Sequence, residues 1–167
     1  MGLIGATKPK EYCLDLLRFH AWRAGKIKGA MHQIDQSLWS KPLEGSFGSL
    51  EMLINHMAWA EMLWLNKVQG KEDPPVPTLK GEAIFEAWEE VTGEWIRTLE
   101  AKRNEDFHQI FHFQDTNGDS YKNSLFEIVV HFIDHGSYHT GQAMNTVVTF
   151  GHHPGSTDYI DFLRAKA

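Results

Sequence analysis

His135 and His139 have the residue type and spacing to hold a metal ion. They lie in the run His131-Phe132-Ile133-Asp134-His135-Gly136-Ser137-Tyr138-His139-Thr140-Gly141-Gln142. Residues four apart on an α-helix share a face, one roughly a turn above the other. Two imidazoles so placed reach one ion at about 2.0–2.1 Å, the usual zinc–nitrogen distance. Two ligands are an incomplete set, so another element must supply a third. The best candidate is His56, inside the amphipathic run from Leu50 to Trp59; taken by itself it is open to reading as a core histidine. Three neutral imidazoles would leave the double positive charge of the ion intact and at least one position open, where bound water or a thiolate could be the reacting group. Imidazole ligation suits zinc, nickel and copper, and affinity order alone does not choose among them.

The residues around this set have narrower roles. His131 lies one more turn back, about 40° round the helix from His135, and is expected to sit off the metal. A ligating ring needs an oxygen acceptor for its other N–H. Gln142, three residues after His139, faces nearly the same way and is the candidate. Glu61 and Asp134 read as exposed charges, Tyr138 as packing and Asn55 as a loose surface amide. Cys13 reads as a small core residue, and His152-His153 as a solvated turn between glycines and a proline. No carboxylate stands beside the histidines as in a His-Glu-x-x-His protease, which weakens a hydrolase reading. A di-iron carboxylate bundle needs two Glu-x-x-His pairs on facing helices. Here the single such pair, Glu105 and His108, falls in an expected loop, so that reading is rejected.

Four amphipathic helices must carry these side chains. The first is expected over Lys8 to Ile34, with Pro9 in its first turn and Leu14, Leu17, Ala21, Ala24, Ile27 and Met31 at three-to-four spacing. A loop follows from Asp35 to Gly48. The second helix starts at a Ser46 or Ser49 cap and runs to about Val68, its apolar stripe interrupted by one acid, Glu61. Three prolines between Gly70 and Pro77 end it. The third spans roughly Gly81 to Ala101. Ile110 to Phe113 and Tyr121 flank Asn117-Gly118, a hairpin turn signal. The fourth covers Leu125 to Thr149, and a short helix over Thr157 to Leu163 closes the chain, with Asp158 near its start. The reading is an all-α four-helix bundle with a short β-hairpin and a short C-terminal helix, as a single domain over residues 1–167. Connections of eleven to fourteen residues after the first two helices leave room for a topology other than simple up-down-up-down.

Bulk properties narrow the function further. With 167 residues the chain can bury roughly 70% of its unfolded surface. A net charge of −6 argues against a nucleic-acid surface, which needs clustered Lys and Arg. One cysteine excludes an internal disulfide and fits a reducing cytoplasm. Neither a signal peptide nor a membrane-spanning run is expected.

Several blocks of the sequence are similar to the DinB/YfiT-like family of metal-binding helical bundles. Leu16-Leu17-Arg18-Phe19-His20-Ala21-Trp22-Arg23-Ala24 resembles its opening pattern. Ser46-Phe47-Gly48-Ser49-Leu50-Glu51-Met52-Leu53-Ile54-Asn55-His56, followed by Ala60-Glu61 and Trp64, resembles its second-helix motif, and the run from His131 to Gln142 its most specific one. Gly151, Pro154, Asp158 and Phe162-Leu163-Arg164 are similar to its closing segment. The resemblance implies zinc or nickel on His56, His135 and His139, frequent homodimers, and enzymes that include thiol-dependent S-transferases and an isomerase. The function expected is a metal-dependent transferase using a low-molecular-weight thiol, or a hydrolase. The alternative is a non-catalytic dimeric stress-response bundle whose metal is structural or vestigial. One departure stands out: the family usually has Arg after the last ligand, and here that position is Thr140.

Overall fold

The computed structural model describes residues 8–44, 47–114 and 118–166. Pro9 opens α1 (Pro9–Met31), where its fixed φ and missing N–H cost nothing. The helix stops three residues short of the expected Ile34. The Gln33 and Ile34 N–H groups switch to carbonyls only three residues back, and the Trp39 indole donates to the Met31 carbonyl at 3.0 Å, satisfying a group that a longer helix would use. Asp35 accepts from the Ser37 amide and starts a 3-10 turn at Gln36–Leu38.

Ser49 caps α2 (Leu50–Gln69), its hydroxyl accepting from the Met52 amide. This selects one of the two candidate caps; Ser46 lies outside the described residues. Gly70, at φ 67°, ends α2 in the left-handed region that an L side chain resists. After the proline segment comes α3 (Glu82–Glu100), whose buried face carries Ile84, Phe85, Trp88, Val91, Thr92, Trp95 and Leu99. The stretch holding Glu105 and His108 is a 3-10 turn, Asn104–His108, where a loop was expected; Phe107 anchors it with its ring fully buried.

The hairpin is present as β1 (Ile110–Gln114) and β2 (Ser120–Ser124), with Phe113 opposite Tyr121 and Phe111 opposite Asn123. Asn117 of the turn signal lies outside the described residues. Next, α4 (Leu125–Thr149) begins at a capping box in which Ser124 and Glu127 each bond the backbone of the other. The chain finishes with α5 (Tyr159–Ala165), shifted two residues from the expected span.

Packing partners settle the arrangement. Both α1 and α2 pack against α3 and α4, so α1 and α2 stand diagonally opposite each other. Consecutive helices are therefore not all neighbours, a topology other than simple up-down-up-down. Across the other diagonal, Trp95 of α3 stacks on Phe132 of α4 with ring centroids 4.7 Å apart. The hairpin lies against α2 and α4, and α5 caps α1 through Phe162, which packs on Phe19 and Trp22. Among the described residues no helix is long and apolar enough to cross a membrane.

Candidate metal centre

The contact between α2 and α4 decides where the histidines meet. His56 projects from α2, and His135 and His139 from successive turns of α4. His56 Nε2 is 3.2 Å from His135 Nε2, which is 3.0 Å from His139 Nε2. One ligand nitrogen from each of the three rings lies within 4.8 Å of the others. Two nitrogens on a tetrahedral ion at about 2.0–2.1 Å stand about 3.3–3.4 Å apart, so the rings are already spaced as ligands of one centre.

Protonation agrees with that geometry. Burial, and then the neighbouring imidazoles of His139, His56, His131 and His20, push the pKa of His135 down from 6.5 to about 4. His56 is lowered by burial and then by His139. A ligand must be neutral to bind, and the His56 and His135 rings resist protonation before any ion arrives. Gln142 Oε1 is 2.7 Å from His139 Nδ1. An N–H donated to that oxygen places the lone pair on Nε2, toward the other two rings. Phe47 closes one side, with ring centroids 4.7 Å from His56 and 5.0 Å from His139. His139 is 5% exposed, while His56 and His135 are half-buried. Next to the cluster is a cavity of about 240 Å³, walled by Phe47, Ser49, Gln142, Asn145 and Thr146 among others.

The other histidines and polar groups fall elsewhere. His131 is exposed and stands apart from the set, its ring 5.0 Å from Trp64 and 6.3 Å from His135. Asp134 and Tyr138 are exposed, although the Tyr138 ring remains 5.0 Å from His139. Burial drives the Cys13 thiol up to about 12, which keeps it protonated and inert. His153 is exposed and His152 half-buried.

Tyr138, expected to pack, is instead 66% exposed, and two expectations about polar side chains are also corrected. Asn55 is buried rather than a loose surface amide, because its side chain clamps the segment after α2. It donates to the Leu79 carbonyl at 2.9 Å and accepts from the Leu79 amide at 3.1 Å. Glu61 is not an exposed charge; it is 2% exposed. Its carboxylate accepts from His20 Nε2 at 2.9 Å, Trp88 Nε1 at 2.7 Å and Thr92 Oγ1 at 2.7 Å. A buried carboxylate survives only when its lone pairs are satisfied, and two helices, α1 and α3, supply the donors.

Sequence reading missed His20 and Arg23, which complete this network. Arg23 Nη2 donates to His20 Nδ1 and to the Ile133 carbonyl, both at 3.1 Å, and Nη1 donates to Ser137 Oγ. With Nδ1 accepting, the ring proton of His20 sits on Nε2 and is donated to Glu61. Burial lowers the Arg23 pKa to about 10, opposed by the charge of Asp134. Thr140, at the position where the family usually has Arg, is buried and bonds back to the Gly136 carbonyl at 2.7 Å. A guanidinium does reach this stretch of α4, but it comes from α1. The acid inside the apolar stripe of α2 was the sequence signal for this network. Its partners could not be read because they lie 27 to 41 residues away.

Comparison with known proteins agrees with the architecture. A family model described as the DinB family matches residues 7–167. Protein DinB of Bacillus subtilis (strain 168) is 18% identical over 158 residues, covering 89% of this chain and 92% of the relative. The crystal structure of a DinB-like protein from Bacillus cereus ATCC 10987 superposes with a TM-score of 0.63 at 18% identity. That alignment covers 84% of this chain and 95% of the other. At such identity the structural likeness is one of fold.

Proposed function

The chain belongs to the DinB family, and from that membership and its histidine cluster we propose a divalent-metal protein acting as a metal-dependent transferase that uses a small thiol. The observation that carries this reading is the convergence of three imidazole nitrogens from two helices, with Nε2 separations of 3.0 and 3.2 Å. A zinc or nickel ion held by His56, His135 and His139 would supply a Lewis-acid centre that favours the ionised form of a thiol or of water near neutral pH. The protein contributes the rest. Gln142 fixes the tautomer of His139, Phe47 shields two of the rings from water, and the polar wall of Gln142, Asn145 and Thr146 offers hydrogen bonds to a small hydrophilic molecule beside them.

Thiol transfer is preferred to hydrolysis because, among the described residues, no carboxylate joins the cluster of His56, His135 and His139; Glu44 lines the adjoining cavity rather than the cluster. A thiol, once ionised, needs no general base. Homodimer formation and a cytoplasmic location belong to the same proposal, the latter supported by the unpaired, buried Cys13.

The test is titration of chelator-stripped protein with zinc and with nickel, on wild type and His139→Ala. Tight one-to-one binding that weakens at least 100-fold in the variant is expected, followed by turnover of small thiols with electrophilic acceptors by the loaded protein. Absence of binding in wild type overturns the proposal. Tight binding without any thiol reaction favours the non-catalytic bundle with a structural metal.

A further inference from the structure

The hairpin builds a second concave surface on the far side of His131 from the metal centre. Opposed residues of an antiparallel pair share a face, so Phe113 and Tyr121 lie side by side, with ring centroids 6.3 Å apart and planes at 24°. Trp64 of α2 meets Phe113 at 5.2 Å and 88°, and meets His131 of α4 at 5.0 Å and 75°. These four rings, with Ile128, Asn123 and Glu127, line an open cavity of about 330 Å³. That volume is at the lower end for a small-molecule site.

The chemistry of the walls selects the guest. Aromatic faces and edges favour another flat ring in offset or edge-to-face contact. An anionic guest is opposed by Glu127. Its carboxylate accepts from the Ser124 amide at 2.8 Å and is held below the usual carboxylate range by that bond first. A cationic guest is opposed by Lys67, whose ammonium already stands over the Phe113 ring at 5.6 Å from its centroid. Lys67 is itself paired with Asp73 at 2.9 Å, so it is not free to hold an anion. The Asn123 amide and the exposed His131 ring remain as polar handles for a neutral group.

We propose that this cavity is a binding subsite for an uncharged planar aromatic group, seated against Trp64 and Phe113, with His131 between it and the histidine cluster. The centroids of His131 and His135 are 6.3 Å apart, so a substituent on such a ring points across one imidazole toward the metal centre. Use of the subsite for the second substrate of a transfer reaction rests on the metal reading; its capacity to bind a ring does not.

The test uses the metal-free full-length protein and three probes: 2-naphthol, 2-naphthoate and a naphthylmethyl trimethylammonium. Binding is followed by NMR on the indole N–H of Trp64, assigned with Trp64→Phe. Saturable binding of 2-naphthol is expected, at least threefold weaker in Tyr121→Ser, a substitution at a 48% exposed strand position. The carboxylate probe should bind at least tenfold more weakly than the neutral one. Glu127→Gln, which preserves the capping box, should recover at least threefold of that loss. Overturning results are preference for the ammonium or the carboxylate, indifference to Tyr121→Ser, or perturbations confined to a separate cavity between α1 and α3 that Ala24 and Gly93 help to line. With nickel bound at the histidines, the probe protons should broaden; sharp lines would refute the proximity to the centre. Failure of nickel to bind, with naphthol binding intact, would remove the metal reading and leave the subsite standing.

Discussion

At the scale of single residues, the three imidazoles and their hydrogen-bond partner control what the centre can do. Replacing Gln142 with Leu removes the acceptor for His139 Nδ1 and frees the ring to choose its tautomer. Loss of such an outer partner costs about 10–100-fold in metal affinity. Calorimetric titration of Gln142→Leu should therefore fall between wild type and His139→Ala. The lowered pKa of His135 has a measurable sign in the metal-free protein. Between pH 6.5 and about 4 the unfolded chain takes up a proton at this position and the folded chain does not. Stability contributed by the neutral ring is complete above pH 6.5 and lost as the pH falls through that window. Thermal melts of the metal-free protein should show this decline, and His135→Gln should make it shallower. A melting temperature as steep in pH for the variant as for wild type would contradict the assigned environment.

At the scale of elements, the position of α4 depends on a close approach to α1. A Cβ on Gly136 would stand 2.6 Å from His20 Cε1 and 2.9 Å from its Nδ1. That ring cannot turn away easily, since Glu61 holds one nitrogen and Arg23 the other. Overpacking of this kind costs about 1–3 kcal/mol, against roughly 1 kcal/mol gained when Ala replaces Gly in a helix. Gly136→Ala should be destabilised by up to about 2 kcal/mol in denaturant melts, and its metal affinity should fall because His135 is the adjacent residue. Glu61 links α2 to α1 and α3 in the same way. Glu61→Leu strands the donors of His20, Trp88 and Thr92 and should cost about 3–5 kcal/mol. Glu61→Gln keeps a carbonyl acceptor and should cost less. Equal losses in the two variants would mean that volume rather than hydrogen bonding matters there.

At the scale of the whole molecule, an ion held by His56, His135 and His139 would join α2 to α4 and bind only the folded chain. Free zinc at a hundredfold excess over its Kd should stabilise the fold by about 2.7 kcal/mol. In a chain of this length that is a rise of about 5–10 °C in melting temperature. Differential scanning calorimetry with and without zinc reads this directly, and His56→Ala should abolish the shift.

The sequence by itself determined the features that depend on local periodicity. Apolar spacing located four helices within a few residues of their observed ends, and four-residue spacing placed His135 beside His139. The alternation about Asn117-Gly118 marked the hairpin. Resemblance to a family supplied His56 as their partner. Where expectations failed, contacts distant in sequence overrode local preference: Trp39 helped end α1 early, the Leu79 segment drew in Asn55, and α1 and α3 donated to Glu61. Only the tertiary structure decided that α1 and α2 lie on a diagonal, that a histidine, an arginine and a carboxylate cross the interior, and that an aromatic cavity lies beside the three-histidine cluster. The physical reason is that hydropathy records whether a side chain faces the core but not which helix it meets there. A polar group is buried only where its partners converge, and their convergence is a property of packing.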